Sequence, residues 1–234
     1  GTYNIPVKAI NYNGEDSEVI VLTVSTPAFA NTKSVNFANQ DYLGANAALL
    51  ANTLGRTGNG GGSIDAWSIG FWFKASTNLQ GQVIFYYGDN DTANGGHIQV
   101  TQVNVSGSKH LRFRYGSTNN RIQLQSSGLT SGVWQHILIS YDGGTTGADS
   151  GSVSSYYSRF KIFIDGALQS SALSNVNYGY TGNVDPDNFR VGRYASGNYM
   201  RGCRVDELAI WNSDQSSNIS SIYNSGSPFD LSTL

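Results

Sequence analysis

Residues 202–211 read GCRVDELAIW and residues 67–74 read WSIGFWFK, and these two stretches decide the fold. In residues 67–74, large apolar side chains recur at every other position: Trp67, Ile69, Phe71 and Phe73. Successive side chains of a β-strand point to opposite faces, so this alternation predicts a strand that turns an aromatic surface toward a core. Trp72 is expected on the opposite face.

Further strand signals recur from about residue 30 onward, separated by Gly, Asn, Asp and Ser, and almost no helix is expected. Residues 35–37 and 41–43 are predicted to form one edge strand. The stretches that predict a meander are 82–87, 97–105, 110–115 and 121–125. Turns are predicted at two pairs: Gly107 with Ser108, and Asp165 with Gly166. Two antiparallel sheets packed face to face account for this pattern, which makes the fold all-β.

Composition excludes several classes of function. Charged residues are 13% of the 234-residue chain, well below the usual ~25%. The net charge of −2 gives no electrostatic signature for nucleic acid, and no apolar run approaches the ~18 residues of a membrane span. Cys203 is the one cysteine, so no intrachain disulfide forms and a buried position is expected. The abundance of Gly, Tyr, Asn and Ser is typical of extracellular or virion proteins.

Residues 1–25 differ from the rest of the chain. Residues 1–11 alternate as a half-buried strand, residues 14–17 are expected to turn, and residues 18–24 predict a second strand. Two strands alone are not stable in water. The pattern resembles the final hairpin of bacterial and phage Ig-like domains, which implies a module before residue 1. We therefore expect Ig-like strands over residues 1–25, a linker over 26–32 around Pro27, and a sandwich domain over 33–234.

Three phrases together carry a second resemblance: residues 67–74, 134–166 and 191–208. Their order and spacing resemble the laminin-G-like, concanavalin A-like jelly-roll family over roughly residues 33–225. The last phrase is similar to the family pattern at nearly every position, and departs from it only after Trp211. The resemblance implies a two-sheet antiparallel jelly-roll sandwich, with a short helical turn at Ile219, Ile222 and Tyr223. It also implies a domain that mostly binds and seldom catalyses.

Catalytic residues are not apparent. Glycosidases of related architecture use two carboxylates, about 5 Å apart for retention and about 6.5 to 9.5 Å for inversion. Glu207 is the only Glu after residue 30, and its neighbour Asp206 is expected on the opposite face of the strand. His136 has no nucleophile motif nearby and is interpreted as structural. The chain is therefore predicted not to be an enzyme, with a divergent glycoside hydrolase as an alternative.

Two loops supply hard oxygen ligands of the kind calcium prefers. The candidate ligands are Asp89 and Asp91 in one loop and Asp185 and Asp187 in the other. Neither loop has a complete calcium-binding motif, and Asp and Asn also favour ordinary solvated turns. Structural calcium and a metal-free turn both remain open for each loop.

Aromatic and amide side chains late in the chain are the candidate ligand-binding residues. They are Tyr178, Tyr180, Arg193, Tyr194, Asn198 and Tyr199. Sugars stack on aromatic rings and accept hydrogen bonds from polar side chains, which is what this set offers. Tyr and Arg are equally enriched in protein interfaces, so packing against neighbouring subunits is the competing interpretation.

The function predicted from these observations is adhesion without catalysis. The domain is expected on a virion surface, such as a phage tail, fibre or decoration protein, or on another extracellular protein. It would bind a cell-surface polysaccharide weakly, with multivalency supplying avidity. The alternative is a structural spacer or oligomerisation domain, in which the tyrosines contact a homo-oligomer or neighbouring virion subunits.

Overall fold

The structure is a computed structural model, and it divides into two compact units, Gly1–Asn31 and Thr32–Leu234. It describes residues 2–11, 14–23, 34–38, 41–54, 63–77, 81–89, 96–116, 121–145, 159–169, 184, 186–195, 197, 199–227 and 231. Across these ranges, no helix has the length and apolar character needed to cross a membrane.

The first unit contains two antiparallel strands, β1 (Thr2–Asn11) and β2 (Gly14–Thr23). Their register runs from Thr2 opposite Thr23 to Asn11 opposite Gly14. Residues 14–17 were expected to turn, and this expectation is wrong because the ladder continues to Gly14. Each added pair satisfies further backbone N–H and C=O groups, which favours extending the ladder. The assignment of this hairpin to an Ig-like domain stays a prediction.

The second unit contains short strands and very little helix. The strands are β3 (Val35–Phe37), β4 (Leu43–Ala45), β5 (Ser63–Ile64), β6 (Trp67–Lys74), β7 (Gln82–Gly88), β8 (His97–Val105), β9 (Ser108–Gly116), β10 (Arg121–Leu129), β11 (Trp134–Tyr141), β12 (Gly144–Thr145), β13 (Phe160–Ile164), β14 (Ala167–Leu168), β15 (Asn188–Val191) and β16 (Cys203–Trp211). One short α-helix, α1 (Ile219–Tyr223), and the 3-10 turns Ala47–Leu50, Ser216–Asn218 and Asn224–Gly226 complete the described elements.

Two six-stranded antiparallel sheets form the body of this unit. Sheet I has the strand order β10-β9-β8-β7-β15-β4, and sheet II has the order β14-β13-β11-β6-β16-β3. β5 and β12 form a separate two-stranded pair. This arrangement confirms the predicted all-β, two-sheet antiparallel jelly-roll sandwich.

The core lies between the two sheets and is rich in aromatic side chains. Trp67 of sheet II is fully buried, and its ring lies 6.2 Å from Phe113 and 6.1 Å from Tyr115 of sheet I, centroid to centroid. The predicted alternation of β6 is confirmed, because its odd-numbered apolar residues belong to the core while Trp72 packs on the other side against His136. Aromatic contacts between the sheets therefore hold the sandwich closed.

The stretch predicted as one edge strand is in fact two strands in different sheets. β3 pairs with β16 at the edge of sheet II, whereas β4 pairs with β15 at the edge of sheet I. Between them, Asp41 Oδ2 accepts a hydrogen bond from the Ala38 backbone N–H at 3.1 Å. A side-chain oxygen that binds a nearby backbone N–H competes with strand pairing, which explains why the strand stops here.

Tight turns connect neighbouring strands where consecutive residues take positive φ. Asp165 and Gly166 have φ of 52° and 77° between β13 and β14, as predicted. Between β8 and β9 the turn lies at Ser106 and Gly107, with φ of 51° and 84°, one residue earlier than predicted. A two-residue hairpin turn needs positive φ at both central positions, and Ser108 already belongs to β9. The predicted helical turn after β16 is confirmed as α1.

Candidate functional site

The outer face of sheet I, turned away from the core, carries a row of polar side chains from five adjacent strands. Arg190 lies opposite Tyr86, Tyr86 opposite Gln99, Gln99 opposite Arg114, and Arg114 opposite Gln123. The residues that alternate with them along the strands, such as Phe113 and Leu124, belong to the core. Period-two alternation therefore places the whole row on the outer face. We call it the central row.

Two further rows flank the central row at a spacing of two residues along each strand. One contains Asn188, His97 and Arg121, and the other contains Thr101, Arg112 and Gln125. We call the three rows together the polar face. It contains four arginines, at positions 112, 114, 121 and 190, and none of its side chains is a carboxylate.

Glutamine side chains hold two of these arginines in place. Arg114 Nε donates to Gln123 Oε1 at 2.8 Å, and its Nη1 donates to Gln99 Oε1 at 3.3 Å. Arg112 donates from Nε and Nη2 to Gln125 Oε1, at 3.3 and 3.1 Å. Neutral amide oxygens orient the guanidinium groups without neutralising their charge.

Burial and mutual repulsion act on the same arginines. Burial lowers the pKa of Arg114 to about 10, and the positive charges of Arg121 and Arg112 contribute to the shift. Burial also lowers the pKa of Arg112, again with a contribution from Arg121. In the described ranges, salt bridges join Arg159 to Asp142 and Lys161 to Asp214, and neither involves the polar face. The polar face therefore carries four arginines and no carboxylate of its own, while Asp89 and Asp187 act on Tyr86 from the adjoining loops.

An aromatic cluster lies beside the central row. The Tyr86 ring is 5.4 Å from His97 and 5.0 Å from Tyr194, which meets it edge-on. Burial raises the pKa of Tyr86, and Tyr194 and Asp89 add to the shift. Burial also raises the pKa of Tyr194, while Arg114 and Arg121 oppose the change. The Tyr194 phenol is thus close enough to sense the arginine charges.

His97 is almost fully buried in this cluster, at 2% exposure. Neither of its ring nitrogens makes a hydrogen bond of ordinary geometry to the described part of the chain. Burial lowers its pKa to about 4, Arg114 lowers it further, and the Asp89 backbone partly offsets both. His97 is therefore a neutral ring at physiological pH.

A second aromatic group lies at the β4 edge of the sheet. The guanidinium carbon of Arg193 lies 4.8 Å from the Tyr42 ring centroid and 4.9 Å from that of Tyr199. Arg190 fixes the adjoining segment, because its Nη1 donates to the backbone carbonyls of Tyr194 at 3.0 Å and Ala195 at 2.6 Å. The Tyr42 ring remains 46% exposed, so one stacked aromatic surface is open to solvent.

The structure brings together three of the six predicted ligand-binding residues. Arg193 and Tyr199 share the stack with Tyr42, and Tyr194 packs on Tyr86 next to the polar face. The other three lie outside the described residues: Tyr178, Tyr180 and Asn198. Whether any of the six binds a ligand stays a prediction.

Two of the four predicted calcium ligands are described. Asp89 and Asp187 both raise the pKa of Tyr86 through their charge, so the two loops approach the same end of β7. Asp187 Oδ2 also accepts a hydrogen bond from Asn188 Nδ2. Asp91 and Asp185 lie outside the described residues. Among the residues that are described, no three His, Cys, Asp or Glu side chains form a group that could hold a metal ion.

The residues weighed for catalysis make local structural contacts. Asp206 Oδ1 accepts a hydrogen bond from the Glu207 backbone N–H at 2.8 Å. The β6–β16 register shifts between Asp206 and Ala209, and Glu207 has a φ of 47°. This β-bulge interrupts the regular alternation on which their expected opposite orientation was based. Burial lowers the pKa of His136 to about 4, with the Asp165 charge opposing the change.

Sequence reasoning missed the arginines and glutamines of the polar face. They are Arg112, Arg114, Arg121, Arg190, Gln99, Gln123 and Gln125. Their signal was available, because in β9 and β10 polar residues alternate with Leu111, Phe113, Ile122 and Leu124. The predicted ligand-binding residues were instead mostly tyrosines in loops, because exposed tyrosines are a common feature of sugar-binding sites.

Comparison with known proteins extends these observations. A family model described as the concanavalin A-like lectin/glucanases superfamily matches residues 39–218. No curated protein matches the chain.

Several solved structures share the fold. One is NanB plus Optactamide, at 12% identity and a TM-score of 0.52, covering 81% of this chain but 27% of that one. Another is the Ruminococcus gnavus IT-sialidase CBM40 bound to alpha2,3 sialyllactose, at 11% identity and a TM-score of 0.51, covering 80% and 93%. A second structure of the Ruminococcus gnavus IT-sialidase CBM40 gives 13% identity and a TM-score of 0.50, covering 80% and 94%. At such identities the likeness concerns the fold alone.

Proposed function

The chain belongs to the concanavalin A-like lectin/glucanases superfamily, and from that premise we propose that it is a non-catalytic glycan-binding module. The proposed binding surface is the polar face of sheet I. The observation that carries the proposal is the central row, in which five adjacent strands each present one hydrogen-bonding side chain to the same surface.

The chemistry of this surface suits a sugar. A sugar ring offers hydroxyl groups that pair with amide and guanidinium groups, and an apolar face that packs on aromatic rings. Gln99, Gln123 and Arg114 are the polar groups at its centre. Tyr42, stacked on Arg193, is the partly exposed ring at its edge. Rigid strands hold the polar groups in position, which reduces the entropy lost on binding.

The neighbours support the proposal at the level of the fold. CBM40 of the Ruminococcus gnavus IT-sialidase matches this chain over nearly all of its own length, and its structure contains alpha2,3 sialyllactose. A sandwich of this shape is therefore able to bind a glycan without a catalytic domain. Which residues of this chain contact a sugar is argued from the polar face, not from that structure.

The setting we propose is adhesion on an extracellular or virion surface, such as that of a phage tail or fibre. Gln99 and Gln123 are buried and the arginines of the polar face are partly exposed, so a single domain is expected to bind weakly, and several copies on one particle supply avidity. Calcium, if bound, would lie near Asp89 and Asp187 at the β7 end of the sheet. Loss of binding after chelation would support that metal site, and unchanged binding would count against it.

The test is a glycan array probed with the domain displayed as a streptavidin tetramer. We expect binding to a defined set of glycans and a loss of about three- to tenfold for Tyr42→Ala, because an aromatic contact contributes about 0.5–1.5 kcal/mol. Leu168→Ala is the matched control, since Leu168 is 55% exposed on β14 of sheet II.

Light scattering on the same sample distinguishes the structural alternative. A stable oligomer that binds no glycan would make the domain a spacer or oligomerisation module. A monomer that binds glycans only when multivalent would support the adhesion proposal.

A further inference from the structure

We propose that the polar face selects a negatively charged saccharide and that Arg114 contacts the anionic group. This inference rests on the proposed function, because it names the class of glycan that the same surface would bind. The shared chemistry is an oxyanion on a sugar, either a carboxylate or a sulfate.

The first argument is the segregation of charge. The whole chain has a net charge of −2, yet the three rows of the polar face contain four arginines and no Asp or Glu. Arg121 is close enough to lower the pKa values of both Arg112 and Arg114, and Arg112 also lowers that of Arg114. Like charges gathered on one surface destabilise the free protein, and a bound anion relieves that repulsion.

The second argument is the choice of partner for each guanidinium group. Arg114 sits between Gln99 and Gln123 on the two neighbouring strands and donates to both. Those bonds use two of its five donors, and Nη2 donates to no group in the part of the chain that the structure describes. A carboxylate in place of either glutamine would consume the charge. Glutamines fix the plane of the guanidinium group and leave its charge for a ligand.

The third argument is a buried hydroxyl group next to the arginines. Tyr86 is 0% exposed, and its hydroxyl has no hydrogen-bond partner among the described residues. Tyr86 lies directly opposite both Arg190 and Gln99 in the central row. Buried polar atoms are normally paired, so this hydroxyl indicates a group that the ligand would supply.

Binding measurements with a set of acidic glycans and a set of neutral glycans test the inference. The acidic members are 3′-sialyllactose, an oligogalacturonate and a heparin oligosaccharide, and the neutral members are lactose and a maltooligosaccharide. We expect the acidic glycans to bind at least about tenfold more tightly, because hydrogen bonds to a charged group are worth roughly twice neutral ones. The affinity is expected to fall as salt increases. Heparin carries both carboxylates and sulfates, so binding to heparin without binding to the uronate or the sialoside would indicate sulfate recognition, and binding to all three would indicate carboxylate recognition.

Substitutions test whether Arg114 is responsible for the preference for acidic glycans. Arg114→Gln is expected to weaken acidic-glycan binding by about ten- to a hundredfold, while Arg114→Lys retains part of it because the charge remains but the planar donor fork is lost. Arg204→Gln is the matched control, since Arg204 is exposed on sheet II and its loss changes the net charge equally. Circular dichroism confirms that each variant is folded, and Arg112→Gln gives a second variant if Arg114→Gln is not.

Three outcomes overturn the inference in different ways. Equal binding of neutral and acidic glycans, unaffected by the arginine substitutions, would leave the proposed function standing and remove the charge selection. Absence of binding to any glycan would remove both. A preference for acidic glycans that Arg204→Gln abolishes as strongly as Arg114→Gln would assign the effect to overall charge and reject the site.

Discussion

The outer faces of the two sheets differ in the side chains that they carry. The outer face of sheet II is covered by the chain itself, where Ile222 of α1 packs with Leu138 and Phe163. Trp211 lies so close that a Cβ atom on Gly70 would be 2.9 Å from its ring. The outer face of sheet I instead carries arginines, glutamines and buried polar atoms without partners in the described ranges.

Several polar groups on sheet II are paired within the protein, although His136 Nδ1 has no hydrogen-bond partner among the described residues. Ser68 Oγ and Ser140 Oγ are 2.8 Å apart, Ser140 donates to Asp214, and Lys161 forms a salt bridge with the same carboxylate. Lys161 and Asp214 are paired with each other, whereas the arginines of sheet I are oriented by neutral groups. The difference is what the proposed function requires, because one outer face contributes stability and the other carries charges that a ligand would pair.

The largest effect expected from this comparison follows from Ile222→Ala. Ile222 is 1% exposed and fills the cover of sheet II, so its truncation should lower the free energy of unfolding by about 2–5 kcal/mol. Chemical denaturation measures the change, and Ser221→Ala at an exposed position of the same helix is the control. Glycan binding by the folded fraction should be unchanged. A variant as stable as the control would mean that this cover contributes little.

A pH titration compares the two faces through one histidine each. The pKa values of His97 on sheet I and His136 on sheet II are lowered to about 4, mainly by burial, from an ordinary value of 6.5. Between pH 6.5 and 4 the unfolded chain binds more protons than the folded protein, so stability is lost as the pH falls. The loss should reach at most about 3 kcal/mol for each histidine.

His97→Gln and His136→Gln should each flatten the pH dependence of the unfolding free energy in this window. The charges that bear on His97 are those of Arg114 and Arg121, and the charge that bears on His136 is that of Asp165. His110→Gln, at the remaining histidine of the chain, is the control for the substitution itself. Identical slopes for all variants and the wild type would show that neither histidine resists protonation in the folded state.

The smallest effect concerns repulsion on the polar face. Arg121→Gln should raise the stability of the ligand-free protein by a few tenths to about 1 kcal/mol, because partly exposed charges interact weakly. Added salt should stabilise the wild type more than this variant, since it screens the same repulsion. Thermal unfolding at low and high salt provides the measurement. A destabilised Arg121→Gln would mean that the arginine is compensated within the free protein.

The sequence predicted the fold through alternation and turns. Trp67 to Phe73 identified the core face of β6, and the Ser106 and Gly107 turn defines which residues of β8 and β9 lie opposite each other. The predicted turn at Gly107 and Ser108 would place Gln99 opposite Gly116, whereas the observed turn places it opposite Arg114, so only the common face of Gln99 and Arg114 was predictable from the sequence. The pairing of Arg190 with Tyr86 was not, because β15 joins β7 from a distant part of the chain.

The contact between Tyr42 and Arg193 at the edge of the polar face could not be predicted either, because it also depends on long-range strand pairing. Tyr42 meets Arg193 only because the chain crosses from sheet II to sheet I between β3 and β4, and then pairs with β15. A hydrogen bond from the Ala38 backbone N–H to the Asp41 carboxylate accompanies that crossing. Local patterns predict strands and turns, but long-range pairing decides which loops share a surface.

Cys203 has a practical consequence for the use of this domain. It is the chain's one cysteine, it is fully buried, and burial raises its pKa to about 11 while its Sγ lies 3.0 Å from Gln82 Oε1. The thiolate is the reactive form, so the native thiol is protected from maleimides at neutral pH. A cysteine introduced at Ser221, on the helix that covers sheet II, would then couple the domain to a sensor surface in one orientation, with the polar face directed toward the analyte.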